Sequence, residues 1–470
     1  MNKAHFIGIC GAGMSAVAKL LKDSGWQISG SDEGFYPPVS DFLEKNKIPF
    51  SVGYKKENIP EDVDLIVIGK HAKLVPEDNE EVRVAMEMKA IKKSFAEVLG
   101  DISKENENII VAGSYGKSTC TAITSWCLES SGLDPSYFMG AIPFTPSESS
   151  KKGTGKFFVL EGDEYPSSNW DNSSKFLHYH PNHLLLTSLT HDHLNIFKTH
   201  EDYKAPFKKL ILLIPPGGII TACSDDNDIK NMLGTSDKNI VFYGLNKNAP
   251  WHADNIKLGE VSSFDLIHDG KLVTTIGTTL LGVHNIENIV GVSALLLSLE
   301  IITLDQLVDS LASFKALNRR LDRKSDESDV PIYEGFGSSY AKAKSAMTAI
   351  KNHFPEREIA VIFEPHTFSW RNHNALPWYD NVFEGANHVL IYKPPEHGID
   401  THQQLTLAEI VDRVSKSGVS VSGFEDPKGV SKLLKQSINK NSVVLILSSG
   451  GFDGIIENTV SWLEEEFPKK

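Results

Sequence analysis

Gly113-Ser114-Tyr115-Gly116-Lys117-Ser118-Thr119 follows the apolar run Ile109–Ala112 and leads into a helical segment. A glycine turn between a buried strand and a helix N-terminus aims backbone N–H groups, and the positive end of the helix dipole, at a polyphosphate. In that setting Lys117 neutralises the outer phosphates and the Ser118 hydroxyl offers a ligand to Mg²⁺. The full Walker spacing wants a further glycine where Val111 stands, so the match is incomplete. The plainer alternative is a strand–helix turn with a surface lysine.

Three more segments carry chemistry-bearing residues just beyond apolar strands. Phe157–Leu160 runs into Glu161-Gly162-Asp163-Glu164-Tyr165. Ligands of open α/β sheets lie at the carboxyl ends of strands, where an acid such as Glu161 suits the Mg²⁺ that bridges nucleotide phosphates. Leu189-Thr190-His191-Asp192-His193 suggests zinc at first sight. A closed zinc site needs four ligands, and no Cys or His partner stands at a fitting spacing. A contribution from one imidazole to a second Mg²⁺ is the better reading. Asn285 and Asn288 stand three apart at the start of a helix, so both face one side of its first turn. Their amides cap the helix or read a purine edge.

Near the N-terminus, Gly11-Ala12-Gly13-Met14-Ser15-Ala16 fits G-x-G-x-x-A after a strand, with Asp32 where a ribose-binding acid would stand. Three readings stay open from these residues. They are a dinucleotide cofactor, the diphosphate of a nucleotide-sugar, and a tight turn needed for helix–sheet packing.

These residues need strand ends to hold them, and the chain supplies three series of alternating strands and helices, which implies an α/β fold with parallel sheets. In the first, Ala4–Ile9, Trp26–Gly30 and Asp64–Gly69 read as strands, Met14–Ser24 and Val82–Lys92 as helices, and Ser94–Leu99 as a link. The second begins at Ile109 and closes with the helix Asn285–Leu299. The third starts after Arg319-Arg320, with strands such as Ile359–Phe363 and Val443–Leu447 and helices Ser339–His353 and Leu407–Ser415; Arg323–Asp329 reads as a hairpin or linker tip. At 470 residues, three domains are expected. Lys plus Arg number 47 against 61 Asp plus Glu, a net charge of −14 that argues against nucleic acid or an anionic membrane surface. No apolar run reaches spanning length, and no signal peptide opens the chain. Four cysteines without a CxxC pair fit small core residues in a reducing cytoplasm.

FIGICGAGMSAVA, VAGSYGKST, LEGDEY, LTHDH, GVHNIEN, NRRLD and SSGGFDGI, in this order, resemble the Mur ligase family of ATP-dependent amide-forming enzymes over essentially the whole chain. Within it the chain is most similar to the murein peptide ligase branch, the UDP-N-acetylmuramate:L-alanyl-γ-D-glutamyl-meso-diaminopimelate ligases. The segments GSDEGFYPPVSDFLE, EGDEY, SSKFLHYHP and SGGFDGI carry that likeness.

The resemblance implies a Rossmann-like UDP-sugar domain over 1–98, a central P-loop ATPase domain over 99–316 and a C-terminal Rossmann-like amine domain over 317–470. It implies that the lactyl carboxylate of UDP-N-acetylmuramate is phosphorylated by ATP and that the amine of an L-alanyl peptide attacks the acyl phosphate. The sister enzyme that adds free L-alanine is the first alternative, and a non-catalytic paralogue that binds UDP-sugar or nucleotide is the second.

Gly113, Ser114, Gly116, Lys117, Ser118 and Thr119 are then expected on ATP, with Asn285 and Asn288 beside it. Ser118, Glu161 and His193 would serve Mg²⁺. Lys117, Glu161, His193 and Arg320 form the expected catalytic set, and Gly11, Ala12, Gly13, Met14 and Asp32 the UDP-sugar turn. Lys208 stands where some members carry a carbamylated lysine, which the branch does not generally use. One departure stands out: the branch's D-D-F-A-H-H-P is Glu334-Gly335-Phe336-Gly337-Ser338-Ser339-Tyr340 here. Glu334 is expected to supply the carboxylate missing at Gly335, toward the ATP ribose. The oligomeric state, monomer or weak dimer, is not fixed by the residues.

Overall fold

The computed structural model describes residues 1–36, 39–141, 143–193, 196–234, 236–395 and 403–469. Pro37 and Pro38 of the branch-like GSDEGFYPP segment lie outside the described residues. The chain builds three α/β domains, each around one sheet, and packs into two compact units. The first unit is Met1–Asn255, Phe264–Ile276 and His284–Phe314; the second is Ile256–Ser263, Gly277–Val283 and Lys315–Lys470.

The first sheet holds β1 (Lys3–Ile7), β2 (Gln27–Asp32), β3 (Phe50–Val52), β4 (Leu65–Ile68) and β5 (Ile91–Lys93) in the order β3-β2-β1-β4-β5, all parallel. Phe6, Ile7, Ile66 and Val67 are fully buried, as central strands covered on both faces must be. The helix expected over Val82–Lys92 is observed over Glu80–Glu87, where the Asn79 side chain caps it by accepting from Val82 N–H. Met88 turns extended, and Ile91–Lys93 pairs with Leu65–Val67 as an edge strand. Pairing to an open sheet edge here outweighs local helix propensity. The expected link Ser94–Leu99 is instead the start of a helix, Phe95–Ser103. Ser94 and Glu97 form its capping box.

The second sheet has ten strands: β6 (Glu107–Ala112), β7 (Ser136–Phe138), β8 (Ser150–Lys151), β9 (Phe157–Gly162), β10 (His183–Leu186), β11 (Ile219–Cys223), β12 (Asn239–Gly244), β13 (Trp251–Lys257), β14 (Ser262–His268) and β15 (Lys271–Thr278). Their order is β15-β14-β13-β12-β11-β10-β6-β9-β7-β8. The parallel pairing of β6 with both β9 and β10 brings the chain segments after these three strands to one edge of the sheet.

The third sheet holds β16 (Arg320–Arg323), β17 (Ile332–Phe336), β18 (Glu358–Phe363), β19 (His388–Tyr392), β20 (Ser420–Phe424) and β21 (Ser442–Ser448), in the order β16-β17-β21-β18-β19-β20. Only β16 runs antiparallel, which makes 323–329 the tip of a β16–β17 hairpin. Alternate residues feed two apolar layers: Tyr333, Val361 and Leu445 on one face, Ile332, Ile362 and Val444 on the other.

Candidate active site

The turn after β6 enters the helix Lys117–Ser130 through Gly116, whose φ of 83° is left-handed. A Cβ there would also lie 2.6 Å from Asn288 Oδ1, so glycine is required twice over. Asn288 Nδ2 donates to Asn285 Oδ1 at 3.1 Å, and Cys120 Sγ stands 3.4 Å from Asn288 Oδ1. The two asparagines are therefore buried against the underside of the turn. Lys117 Nζ curls back to donate to Gly113 O at 2.5 Å and sits 3.1 Å from Glu164 Oε2. Ser118 Oγ donates to Glu161 Oε1 at 2.8 Å, and Gly140 N–H donates to Glu161 Oε2 at 2.8 Å. Ser114 Oγ donates to Thr190 O at 2.6 Å and meets Tyr203 Oη at 2.8 Å.

The expected set Ser118, Glu161 and His193 is divided between two carboxylates. Ser118 pairs with Glu161, but His193 Nε2 lies 3.2 Å from Glu164 Oε1 and its Nδ1 is 2.8 Å from Tyr165 Oη. Glu164, which sequence reasoning passed over inside its own motif, thus joins Lys117 to His193. Burial pushes its carboxyl above the ordinary range, against the opposing pull of Lys117. Glu164 Oε2 has no hydrogen bond, although Lys117 Nζ is near. His191 is turned away: its Nε2 is 3.0 Å from Phe197 O and its ring stacks on His200. Lys208 is on the helix His200–Leu213, exposed and paired with Glu201 at 3.1 Å. Among the described residues no three His, Cys, Asp or Glu side chains converge as a ready metal cage. Ser118 and Glu161 fit Mg²⁺ as hard oxygen donors, and the unbonded Glu164 Oε2 offers another; phosphate oxygens and water would complete such shells.

A cavity of about 430 Å³ in the same unit reaches from the first glycine turn to these acids; Gly11, Gly13, Asp32, Gly140, Glu161 and Lys175 are among its walls. The helix Ala12–Asp23 starts at the turn, with Gly11 as its N-cap. Ala12 and Met14 belong to its first turn, Met14 against the cavity. Asp32 accepts from Cys10 N–H at 2.8 Å and from Tyr54 Oη at 3.0 Å, which fixes it beside the turn. Asp163 sits 2.6 Å from Lys175 Nζ. Burial opposes its ionisation most strongly, but the Lys175 charge and hydrogen bond, the Tyr165 N–H and the Lys117 charge together hold the carboxyl below its ordinary range.

Arg320 and Glu334 belong to the second unit. Arg320 is exposed at the start of β16. Glu334 is buried in β17, 3.1 Å from Arg319 Nε and 2.8 Å from Lys324 Nζ. Strand parity corrects the idea that it replaces a carboxylate at 335. A Cβ at Gly335 would face Leu447, Leu321 and Ala346, whereas Glu334 projects from the opposite face of the sheet.

Comparison with known proteins gives the family and the fold. A model described as Mur ligase family, catalytic domain, matches residues 3–107, and one described as Mur ligase middle domain matches residues 111–296. UDP-N-acetylmuramate–L-alanine ligase of Acetivibrio thermocellus is 29% identical over 454 residues, covering 95% of this chain and 93% of that one. The solved UDP-N-acetylmuramate-alanine ligase of Thermotoga maritima shares the fold, with a TM-score of 0.77 and 22% identity over 99% of this chain and all of that one. The L-alanyl-γ-D-glutamyl-meso-diaminopimelate ligase of Neisseria meningitides has a TM-score of 0.62 and 27% identity, covering 68% of this chain and 100% of that one. The two matched models fall on the two sheets that bear the glycine turns, and the chain belongs to the Mur ligase family of ATP-dependent, C–N bond-forming ligases.

Proposed function

We propose that the protein activates the lactyl carboxylate of UDP-N-acetylmuramate with ATP and joins it to the amino group of L-alanine. The cavity carries this reading: it links a neutral N–H cradle at Gly11–Gly13 to the acids beside the nucleotide turn. The name of the relative matched over 95% of this chain supports free L-alanine as the amine, ahead of the peptide expected from the motifs. The peptide stays as the second reading, supported by SSKFLHYHP and the 27% identity to the Neisseria enzyme.

A carboxylate oxygen attacks the γ-phosphorus while the β–γ bridging bond breaks and ADP leaves. The amine nitrogen then attacks the acyl carbon, phosphate departs with the C–O electron pair, and the nitrogen gives up a proton. Backbone N–H groups from Gly116 to Thr119, at the helix start, and the Lys117 ammonium hold the phosphates, while the Ser114 and Tyr115 N–H groups are spent on Ser188; the protein's task is placement and charge neutralisation. Ser118 and Glu161 would hold one Mg²⁺, and Glu164 with His193 a second; ions there would supply positive charge that offsets the phosphate oxygens. Asn285 and Asn288 support the turn from below, and Asp32 orients the sugar nucleotide. For Arg320 the reading keeps the phosphate contact that the family resemblance implies.

Phosphate release, measured with ATP, Mg²⁺, UDP-N-acetylmuramate and a panel of amines, tests this. L-Alanine should give the highest kcat/KM. A preference for the tripeptide would move the assignment to the second reading. Tight UDP-sugar binding without turnover, unchanged by Lys117→Ala, would mark a non-catalytic paralogue.

A further inference from the structure

The cavity contains a charge group that the reaction above does not use. Lys175 Nζ lies 2.6 Å from Asp163, 5.0 Å over the Phe95 ring and 5.7 Å over the Tyr165 ring. Its side chain is 14% exposed, so few waters compete for the ammonium. Phe95 in turn closes on the first glycine turn, where a Cβ on Gly13 would come within 3.2 Å of the ring. Asp163 is two residues from Glu161, the partner of Ser118. Lys175 thus bridges contacts to the diphosphate cradle on one side and to the nucleotide turn on the other.

Four acids, Asp32, Glu33, Glu161 and Asp163, line this cavity beside two lysines, and Glu33 is paired outside the lysine pair with Lys73. Lys70 also lines the cavity, and burial together with the Lys175 charge pushes its ammonium below the ordinary range. Asp163 pairs with Lys175. The neighbouring acids are occupied: Asp32 by Cys10 N–H and Tyr54, Glu161 by Ser118 and Gly140. Lys175 therefore reaches this cleft with Asp163 as its ion-pair partner, while Asp32 and Glu161 are held by other donors. A ligand stretched from the cradle to Ser118 carries its reacting group past that cation.

We propose that Lys175 is the specificity-determining residue that reads the acceptor's reacting carboxylate, exchanging Asp163 for it and holding it on the line to the nucleotide turn. The inference rests on the acceptor assigned under the proposed function. A charge-assisted N–H···O bond in a poorly hydrated cleft is among the stronger polar contacts available to a ligand. The aromatic faces of Phe95 and Tyr165 hold the ammonium in place without neutralising it. Lysine acts as a point charge, so its exchange between two carboxylates needs no bidentate geometry. A site built around such a pair rejects the analogue that lacks the group, because the ammonium then gains nothing from it.

UDP-N-acetylglucosamine is that analogue, since it differs from UDP-N-acetylmuramate by the lactyl ether alone. Calorimetric binding of both is measured on wild type, Lys175→Met, Lys175→Arg and Asp163→Asn, with thermal midpoints recorded for each. Lys175→Met should lose about tenfold or more in affinity for the muramate while the glucosamine changes less than about twofold. Lys175→Arg should recover part of the loss, and Asp163→Asn should tighten the muramate selectively. Equal losses for both sugars would assign Lys175 to the diphosphate and overturn the inference, as would no loss for either. Wild type that binds neither sugar would overturn the acceptor assignment and this inference together. Wild type that binds the muramate while Lys175→Met still prefers it undiminished would sink the inference alone.

Discussion

Two glutamates of the first unit are almost fully buried, each near one of the glycine turns, and they are treated in opposite ways. Glu81 sits one hydrogen bond from Ser31, the neighbour of Asp32. Its Oε1 meets His5 Nε2 and Ser31 Oγ at 2.7 Å each, and its Oε2 meets Lys55 N–H at 2.9 Å and Asn58 Nδ2 at 3.0 Å. Glu164 sits by the nucleotide turn with one oxygen lacking any hydrogen bond and a carboxyl pushed upward by burial. A buried carboxylate with every lone pair engaged braces structure, and one left short of partners is held for a ligand. Glu81 also holds the backbone of Lys55, beside Tyr54, which in turn donates to Asp32. Under the proposed function, the sugar turn is braced in advance, whereas Lys117 and Glu164 hold each other until phosphate displaces them.

The largest expected effect tests the nucleotide side. Lys117→Met should lower turnover about a thousandfold, because one preorganised positive donor is lost from the phosphates. UDP-N-acetylmuramate affinity, read by calorimetry, should stay within about twofold. A parallel loss of sugar binding would show that the two turns are not separable.

Glu164→Gln comes next. Turnover should fall about a hundredfold, while the thermal midpoint should hold or rise, since burial disfavours the Glu164 charge by more than the Lys117 ion pair restores. Glu81→Ala should do the reverse and cost about 3 kcal/mol of stability, because His5, Ser31 and Asn58 lose their shared acceptor. Chemical denaturation of both variants checks the pair. If the two glutamates lose stability alike, the division into brace and reserve fails.

Gly116→Ala should cost about 1–2 kcal/mol, as a left-handed residue acquires a Cβ that presses on Asn288. ATP affinity should weaken with it, while sugar affinity does not.

How far the sequence spoke depends on whether a role is local. The glycine turn was legible because a left-handed Gly116 and a helix opening at Lys117 are properties of consecutive residues. Glu161 was legible for the same reason, at the end of an apolar strand. Glu164 lay in the same motif, but its role depends on β9 standing beside β6, which spacing does not reveal. Lys175 needed Phe95, Asp163 and Tyr165 brought together from distant segments. The same limit governs Ile91–Lys93, which becomes a strand because Leu65–Val67 offers it an edge. Around Gly335 the residues alone invited Glu334 as a substitute, and only the paired strand shows that the two positions face opposite layers.

The smallest expected effect is the sharpest test of the contrast between the two glutamates, because it depends on sign. With its pKa raised in the folded state, Glu164 keeps its proton to a higher pH than in the unfolded chain. Between the ordinary glutamate range near about 4.3 and that raised value, the folded protein binds more protons than the unfolded one. Stability must then fall as pH rises through this window and level off above it. Glu164→Gln cannot titrate, so its stability relative to wild type should grow over the same interval. Guanidinium midpoints measured for both proteins from acidic to neutral pH read the difference directly. A difference that shrinks with rising pH would mean that the Lys117 ion pair outweighs burial. Glu164 would then be a satisfied brace of the same kind as Glu81, and the nucleotide turn would be as preset as the sugar turn.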